Sequence, residues 1–194
     1  MDFDRGIELI VGPMFCGKTE ELMRRLRRAE IAKRNVQVFK LDIETRYSKE
    51  DLATHYGQLM QGIPVKDIDE LIRNLKEGTE IIGIDEIQFF DDKIIEFSIE
   101  NQMKYLLILA GLSLDFRGEP FRFRDSERHI GHLMPYSKIT SLNAICNKCG
   151  REANYSQRLI DDPNSPLIKV GGEKDYEARC IKHFIRPVKN HHNS

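Results

Sequence analysis

Apolar positions along the chain switch between two spacings. "IELIV", residues 7–11, is a short apolar run of strand length that leads straight into "GPMFCGKT". In "EELMRRLRRAEIAK", residues 20–33, Leu22, Met23, Leu26 and Ala29 recur at helical spacing, which predicts a helix whose arginines form a solvated face. "VQVFKL" reads as a second strand. Residues 42–66 are polar and irregular and predict a long loop of the kind that serves function. "DIDELIRNLKEG", residues 67–78, predicts a helix with an acidic start and a stop at Gly78. The strand "IIGID", a helical stretch near residues 91–103 and the strand "YLLILAG" follow. Strands alternating with helices predict an α/β fold: a parallel sheet with helices on both faces.

The pattern changes near residue 145. From "CNKCG" onward the chain is rich in turn residues, including Pro163, Pro166, Gly171 and Gly172, and helical periodicity fades. Three parts are expected: a main domain over 1–144, a small domain over 145–187, and a disordered tail over 188–194. There is no internal repeat and no low-complexity segment.

Composition narrows the classes. Hydrophobic residues make up 40% of the 194 residues and charged residues 31%, as in an ordinary globular chain. A formal net charge of -1 gives no global attraction to nucleic acid or membranes, so any site for a polyanion must be local. The longest apolar run, "YLLILAGLSL", falls well short of the ~20 residues that span a bilayer. "MDFDRG" lacks the basic and apolar regions of a signal peptide, so a cytoplasmic protein is expected, in which four cysteines serve as thiols or metal ligands.

Gly12, Pro13, Met14, Phe15, Cys16, Gly17, Lys18 and Thr19 match G-x-x-x-x-G-K-[ST] without a mismatch, between a strand and a helix. This is the pattern of a P-loop nucleoside-triphosphate site. Its glycines let backbone N–H groups turn toward phosphate oxygens, Lys18 reaches the terminal phosphates, and the Thr19 hydroxyl ligates Mg²⁺. Cys16 is read as a small filler, because nothing beside it marks an activated thiol.

"IIGIDEIQFF" ends a buried strand with two acids. In a P-loop protein the strand-end Asp85 helps to hold Mg²⁺, and Gln88 is counted with it on the nucleotide side. Glu86 points elsewhere and has two candidate tasks: activating a water, as in an ATPase, or taking the proton of a substrate hydroxyl, as in a kinase. Phe89 and Phe90 suit either core packing or a pocket that stacks on a flat base.

Cys146-x2-Cys149 and Cys180-x2-His183 form two pairs with 30 residues between the inner cysteines. Three thiolates and one imidazole suit tetrahedral Zn²⁺, and four protein ligands make the site structural. It would staple both ends of residues 150–179 into a closed loop. A nucleic-acid-reading zinc ribbon is a further possibility, disfavoured by the absence of a clustered basic and aromatic surface. His129, His132, His191 and His192 are read as surface histidines.

In order along the chain, "GPMFCGKTEELMRR", "ETRYS", "GIDEIQFF", "AGLSLDFRGEPF", "YSQRL" and "VGGEKDYEARC", with the two metal pairs, resemble the cellular-type thymidine kinases. That family has a P-loop domain and a zinc-bearing lasso loop. The resemblance implies ATP and Mg²⁺ at Lys18, Thr19 and Asp85, with Glu86 as the base facing the 5′-hydroxyl of thymidine or deoxyuridine. It implies that Arg46 steadies phosphate charge. It places Phe89, Phe116 and Phe121 around the base and Met14 and Leu112 near a thymine methyl. Tyr176 and the backbone of Leu167, Ile168, Lys169, Val170, Gly171 and Gly172 would close the lasso over the base edge. It further implies a homotetramer inhibited by dTTP. The stretch after Phe121, residues 122–142, departs from the family pattern.

Overall fold

The computed structural model describes residues 4–42, 62–159 and 174–187. The first strand, β1 (Gly6–Gly12), leads into α1 (Lys18–Ile31), followed by β2 (Val36–Leu41), β3 (Ile63–Val65) and α2 (Ile68–Arg73). Next come β4 (Ile81–Ile84), a 3-10 turn (Ile87–Phe89), α3 (Lys93–Asn101) and β5 (Leu106–Leu112). A second 3-10 segment (Ile130–Tyr136) precedes β6 (Ser137–Ser141). The short strands β7 (Ala144–Ile145), β8 (Glu152–Ala153), β9 (Tyr155–Arg158) and β10 (Tyr176–Arg179) complete the described elements.

The first six strands form one sheet in the order β3-β2-β4-β5-β1-β6, with every pairing parallel. Successive side chains of a strand face opposite ways, so a parallel sheet must be covered twice. Ile7, Leu9 and Val11 of β1 join Ile82, Ile84, Leu107 and Leu109 against α2, α3 and the second 3-10 segment. Ile10 faces the other way and joins Ile81, Ile108 and Ala110 against Leu22, Leu26 and Ala29 of α1. This is the expected α/β architecture with helices on both faces.

Three local expectations are corrected. The polar stretch 42–66 contains β3, an edge strand parallel to β2, while its residues 43–61 lie outside the described part. The predicted helix 67–78 stops at Arg73. The buried Gln37 side chain explains the stop: it donates to Asn74 O at 3.0 Å and accepts from Lys76 N at 2.8 Å and Thr79 Oγ1 at 2.6 Å. These bonds satisfy the backbone where a further helical turn would otherwise do so. Arg25, read as part of a solvated face, is buried and bonds Glu8, Glu21 and Thr140, fastening α1 to β1 and β6. Arg24 and then Arg25 hold the Glu21 carboxyl down to about 2.

Beyond the large sheet, β9 pairs antiparallel with β10 and β7 with β8. None of the described helices is long and apolar enough to cross a membrane.

The contact between β4 and α1 is tight enough to test. A Cβ on Gly83 would lie 2.6 Å from Leu26 Cδ1, inside the core. Gly83→Ala should cost about 1–3 kcal/mol, read as a lower urea midpoint. An unchanged midpoint would contradict this packing.

Candidate active site

The parallel register brings three strand ends to one edge of the sheet. Gly12 lies beside Leu112, and β4, paired with β5, delivers Asp85 just beyond Ile84. Between β1 and α1 the chain turns through two left-handed residues, Phe15 (φ 65°) and Gly17 (φ 83°). Gly17 is the N-cap of α1 and makes no side-chain cap hydrogen bond, which suits the positive end of the helix to an anion. Lys18 is buried and its Nζ donates to Pro13 O at 2.7 Å, so the ammonium lies over its own loop. Burial pushes the Cys16 thiol up despite Lys18 nearby, which agrees with a filler rather than a nucleophile.

Thr19 Oγ1 donates to Asp85 Oδ2 at 2.7 Å. Burial first, then the charge of Glu86, raises the Asp85 carboxyl to about 7, against the pull of the Thr19 hydrogen bond. A buried carboxylate beside a hydroxyl at a helix N-terminus is a hard oxygen donor set, and it fits Mg²⁺.

Glu86 takes a left-handed conformation (φ 51°), and its N–H donates to Asp85 Oδ1 at 2.9 Å. The two acids therefore diverge: Asp85 turns to the phosphate loop, and the half-buried Glu86 carboxylate accepts a hydrogen bond from Gln88 Nε2. Gln88, expected on the nucleotide side, is fully buried, and its Oε1 accepts from Leu112 N at 3.0 Å.

Several aromatic side chains named from the sequence come together in pairs. Phe89 and Phe121 meet edge to face, with ring centroids 5.8 Å apart. Phe116 sits on a turn whose Asp115 carboxylate accepts from the N–H groups of Arg117 and Glu119. The Arg158 guanidinium stacks 3.9 Å from the centre of the Phe116 ring and donates to the Tyr176 hydroxyl at 3.0 Å. Arg158 thus joins Phe116 to the buried Tyr176 of β10. Met14 N donates to Ser156 Oγ at 2.9 Å, so the phosphate loop hangs on β9. Arg46 and Leu167–Gly172 lie outside the described residues.

Ser156 and Arg158 are functional candidates that no motif in the sequence marks. A signal was present: in "YSQRL" they stand two apart on a strand, which puts both on one face.

Cys146, Cys149, Cys180 and His183 bring their ligand atoms within 4.8 Å of one another. Each pair is shaped by a turn: Cys149 and Gly150 donate to Cys146 O, and His183 and Phe184 donate to Cys180 O. Cys149 Sγ and Cys180 Sγ lie 3.7 Å apart and Cys180 Sγ lies 3.4 Å from His183 Nδ1. A tetrahedron with Zn–S bonds of ~2.3 Å has edges of about 3.8 Å, and the thiols are free rather than disulfide-bonded, so the donor set fits zinc. Burial by itself raises the Cys146 thiol, but backbone N–H groups from Cys180 and Lys148, with His183, bring it to about 5, toward the thiolate a metal requires. His129 and His132 are occupied locally: His129 Nδ1 accepts from Gly131 N, and His132 Nδ1 accepts from His129 N. His191 and His192 lie outside the described residues.

A parallel sheet with a phosphate loop after β1 and a buried acid after β4, closed against the hydroxyl of that loop, defines a P-loop nucleotide-binding protein. The family model "Thymidine kinase" matches residues 5–184. The chain is 44% identical over 185 residues to the thymidine kinase of Mesoplasma florum, a match covering 90% of this chain and 88% of that protein. The chain belongs to the thymidine kinase family. Among solved structures, the cytoplasmic domain of the Thermomonospora curvata type VII secretion ATPase EccC aligns with a TM-score of 0.43 and 15% identity. That alignment covers 80% of this chain but only 22% of the ATPase, and it carries no argument about this protein.

The Asp85 environment predicts a pH dependence. Because its folded carboxyl is raised above the unfolded value of 3.8, the protonated form is favoured on folding, and this contribution is lost as pH rises toward about 7. In magnesium-free buffer, Asp85→Asn should therefore raise the unfolding temperature at pH 8, with the gain shrinking toward pH 5. A lower unfolding temperature at pH 8 would contradict the assignment.

Proposed function

We propose that the protein transfers the γ-phosphoryl group of MgATP to the 5′-hydroxyl of thymidine or deoxyuridine, giving the nucleoside monophosphate and ADP. The observation that carries the reading is the divergence of Asp85 and Glu86: one acid closes on Thr19 in the phosphate loop, and the other is turned from it and gripped by Gln88. Family membership supplies the substrates this divided site would serve.

Lys18 binds the terminal phosphates, and the backbone of Gly12–Thr19 cradles them. Thr19 and Asp85 would hold Mg²⁺, which would offset phosphate charge. Arg46 adds positive charge to the transferring group. Glu86 accepts the proton of the 5′-hydroxyl as its oxygen attacks the γ-phosphorus in line. The transition state is loose, so placement of the two reactants matters more than basicity. Phe89, Phe121, Phe116 and Tyr176 hold the base, Met14 and Leu112 approach its methyl position, and the main chain of Leu167–Gly172 closes on its edge. Water activation by Glu86 is less favoured, because Phe89, three residues on, pairs with Phe121 in an aromatic contact that suits a nucleoside base.

Residues 1–144 act as the kinase domain and 145–187 as the lasso domain. Zinc at Cys146, Cys149, Cys180 and His183 staples the lasso. The same reading carries a homotetramer, feedback inhibition by dTTP, and a cytoplasmic place in nucleotide salvage.

Glu86→Gln should keep nucleotide binding and lower turnover by roughly 10²–10⁴, the worth of a positioned base. Steady-state kinetics with equilibrium ATP binding checks this, and near-normal turnover would refute the role. Stripping zinc with a chelator should raise KM for the nucleoside well above any change in KM for ATP. Equal effects on both constants would contradict the staple.

A further inference from the structure

Gln88 is a side chain for which the phosphoryl-transfer scheme has no task, yet its environment is built in detail. It follows a strand end in the 3-10 turn Ile87–Phe89 and is fully buried. Both ends of its amide are committed, one to the Glu86 carboxylate and one to the backbone of Leu112. Gly111 makes the room: a Cβ there would lie 2.8 Å from Gln88 Oε1, and as close to Ile87 and Ile130.

The chemistry fixes which way the amide faces. A backbone N–H can only donate, so the amide oxygen must face Leu112. The NH₂ group is then left for Glu86, which must accept. Gln88, itself fully buried, cannot turn over without setting a donor against the buried Leu112 N and an acceptor against a carboxylate. The Glu86 backbone is fixed as well, in a left-handed conformation that is unfavourable for a non-glycine residue and that Asp85 Oδ1 secures.

From these contacts we infer that Gln88 is the positioning residue of the catalytic base. It holds the Glu86 carboxylate toward the acceptor hydroxyl and registers it against Leu112, where β5 ends and the chain of the base pocket begins. The inference rests on the reading of Glu86 as the base. One buried amide then spans the two ends of the nucleoside: the hydroxyl that reacts and the wall that holds the base. Gln88 touches neither reactant, so its effect passes through Glu86 and falls on turnover rather than on nucleotide affinity.

The test is a double-mutant cycle on the full-length protein with MgATP and thymidine. Gln88→Met keeps the volume and removes both hydrogen bonds. Gln88→Asn keeps an amide but shortens the arm by one methylene, and guards against a result that reflects folding alone. Rates are expressed per nucleotide-binding site, which removes any unfolded fraction. Each single variant should lower kcat by about tenfold to a hundredfold, the worth of one hydrogen bond to a charged group, with KM for ATP within about twofold of the parent. In the Glu86→Gln background, Gln88→Met should lower kcat by less than a further twofold or so, since the group it positions is gone. The inference is overturned if Gln88→Met exerts its full effect in that background, or if KM for ATP rises while kcat holds, as a nucleotide contact would require. Near-normal turnover of Glu86→Gln alone would instead remove the base assignment itself, a failure read without any Gln88 variant.

Discussion

The hydrogen bond between Thr19 and Asp85 ties the phosphate loop to the central strand, and the placement of the site depends on it. Thr19 stands in the first turn of α1 and Asp85 just past β4, so this one contact fixes helix to sheet where the nucleotide phosphates would lie. Burial makes it costly without a cation, as the raised Asp85 carboxyl records. The surrounding structure supports that cost. Leu22, Leu26 and Ala29 seat α1 on the sheet, and Arg25 locks it to Glu8 and Thr140. A site that is unfavourable empty and relieved by its ligand is common where function, rather than stability, sets the sequence.

From that fixed point a chain of contacts organises the proposed nucleoside side. Asp85 Oδ1 turns the Glu86 backbone, Gln88 takes the Glu86 carboxylate, and Leu112 anchors Gln88. On the far wall, Arg158 bridges Phe116 and Tyr176, and Ser156 holds the backbone of Met14. Ser156 and Arg158 belong to β9, whose partner β10 runs directly into Cys180 of the Cys/His cluster. The Cys/His cluster is thus continuous, through the paired strands β9 and β10, with both the phosphate loop and Phe116. The four clustered side chains therefore lie next to the strand pair on which Met14 hangs.

Much of this was legible in the sequence because it rests on local rules. The phosphate loop, the strand ending in Asp85 and the metal pairs are short motifs whose residue types are dictated by phosphate, metal and turn geometry, and each lies where its spacing placed it. The alternating strand and helix periods likewise predicted a sheet covered twice. The misreadings came from tertiary contacts that no local pattern encodes. Gln37 ends α2 by reaching into it from β2, and Arg25 is buried because Glu8 waits on a strand that lies beneath the helix. β3 is an edge strand of three residues with a proline in its middle, and β6 is an edge strand of mostly polar sequence, so the strand signal of each is weak. Arg158 and Ser156 stood inside a recognised stretch, but their partners are distant in sequence, 42 residues away for Phe116 and 142 for Met14.

The central claim is that the divided acid pair serves transfer to an alcohol. It is tested most directly by incubating the protein with MgATP, with and without thymidine, and separating the nucleotides. Equal amounts of ADP and thymidine monophosphate, with almost no ADP when the nucleoside is omitted, are the predicted result. ADP released at the same rate in both samples, with no monophosphate formed, would contradict it.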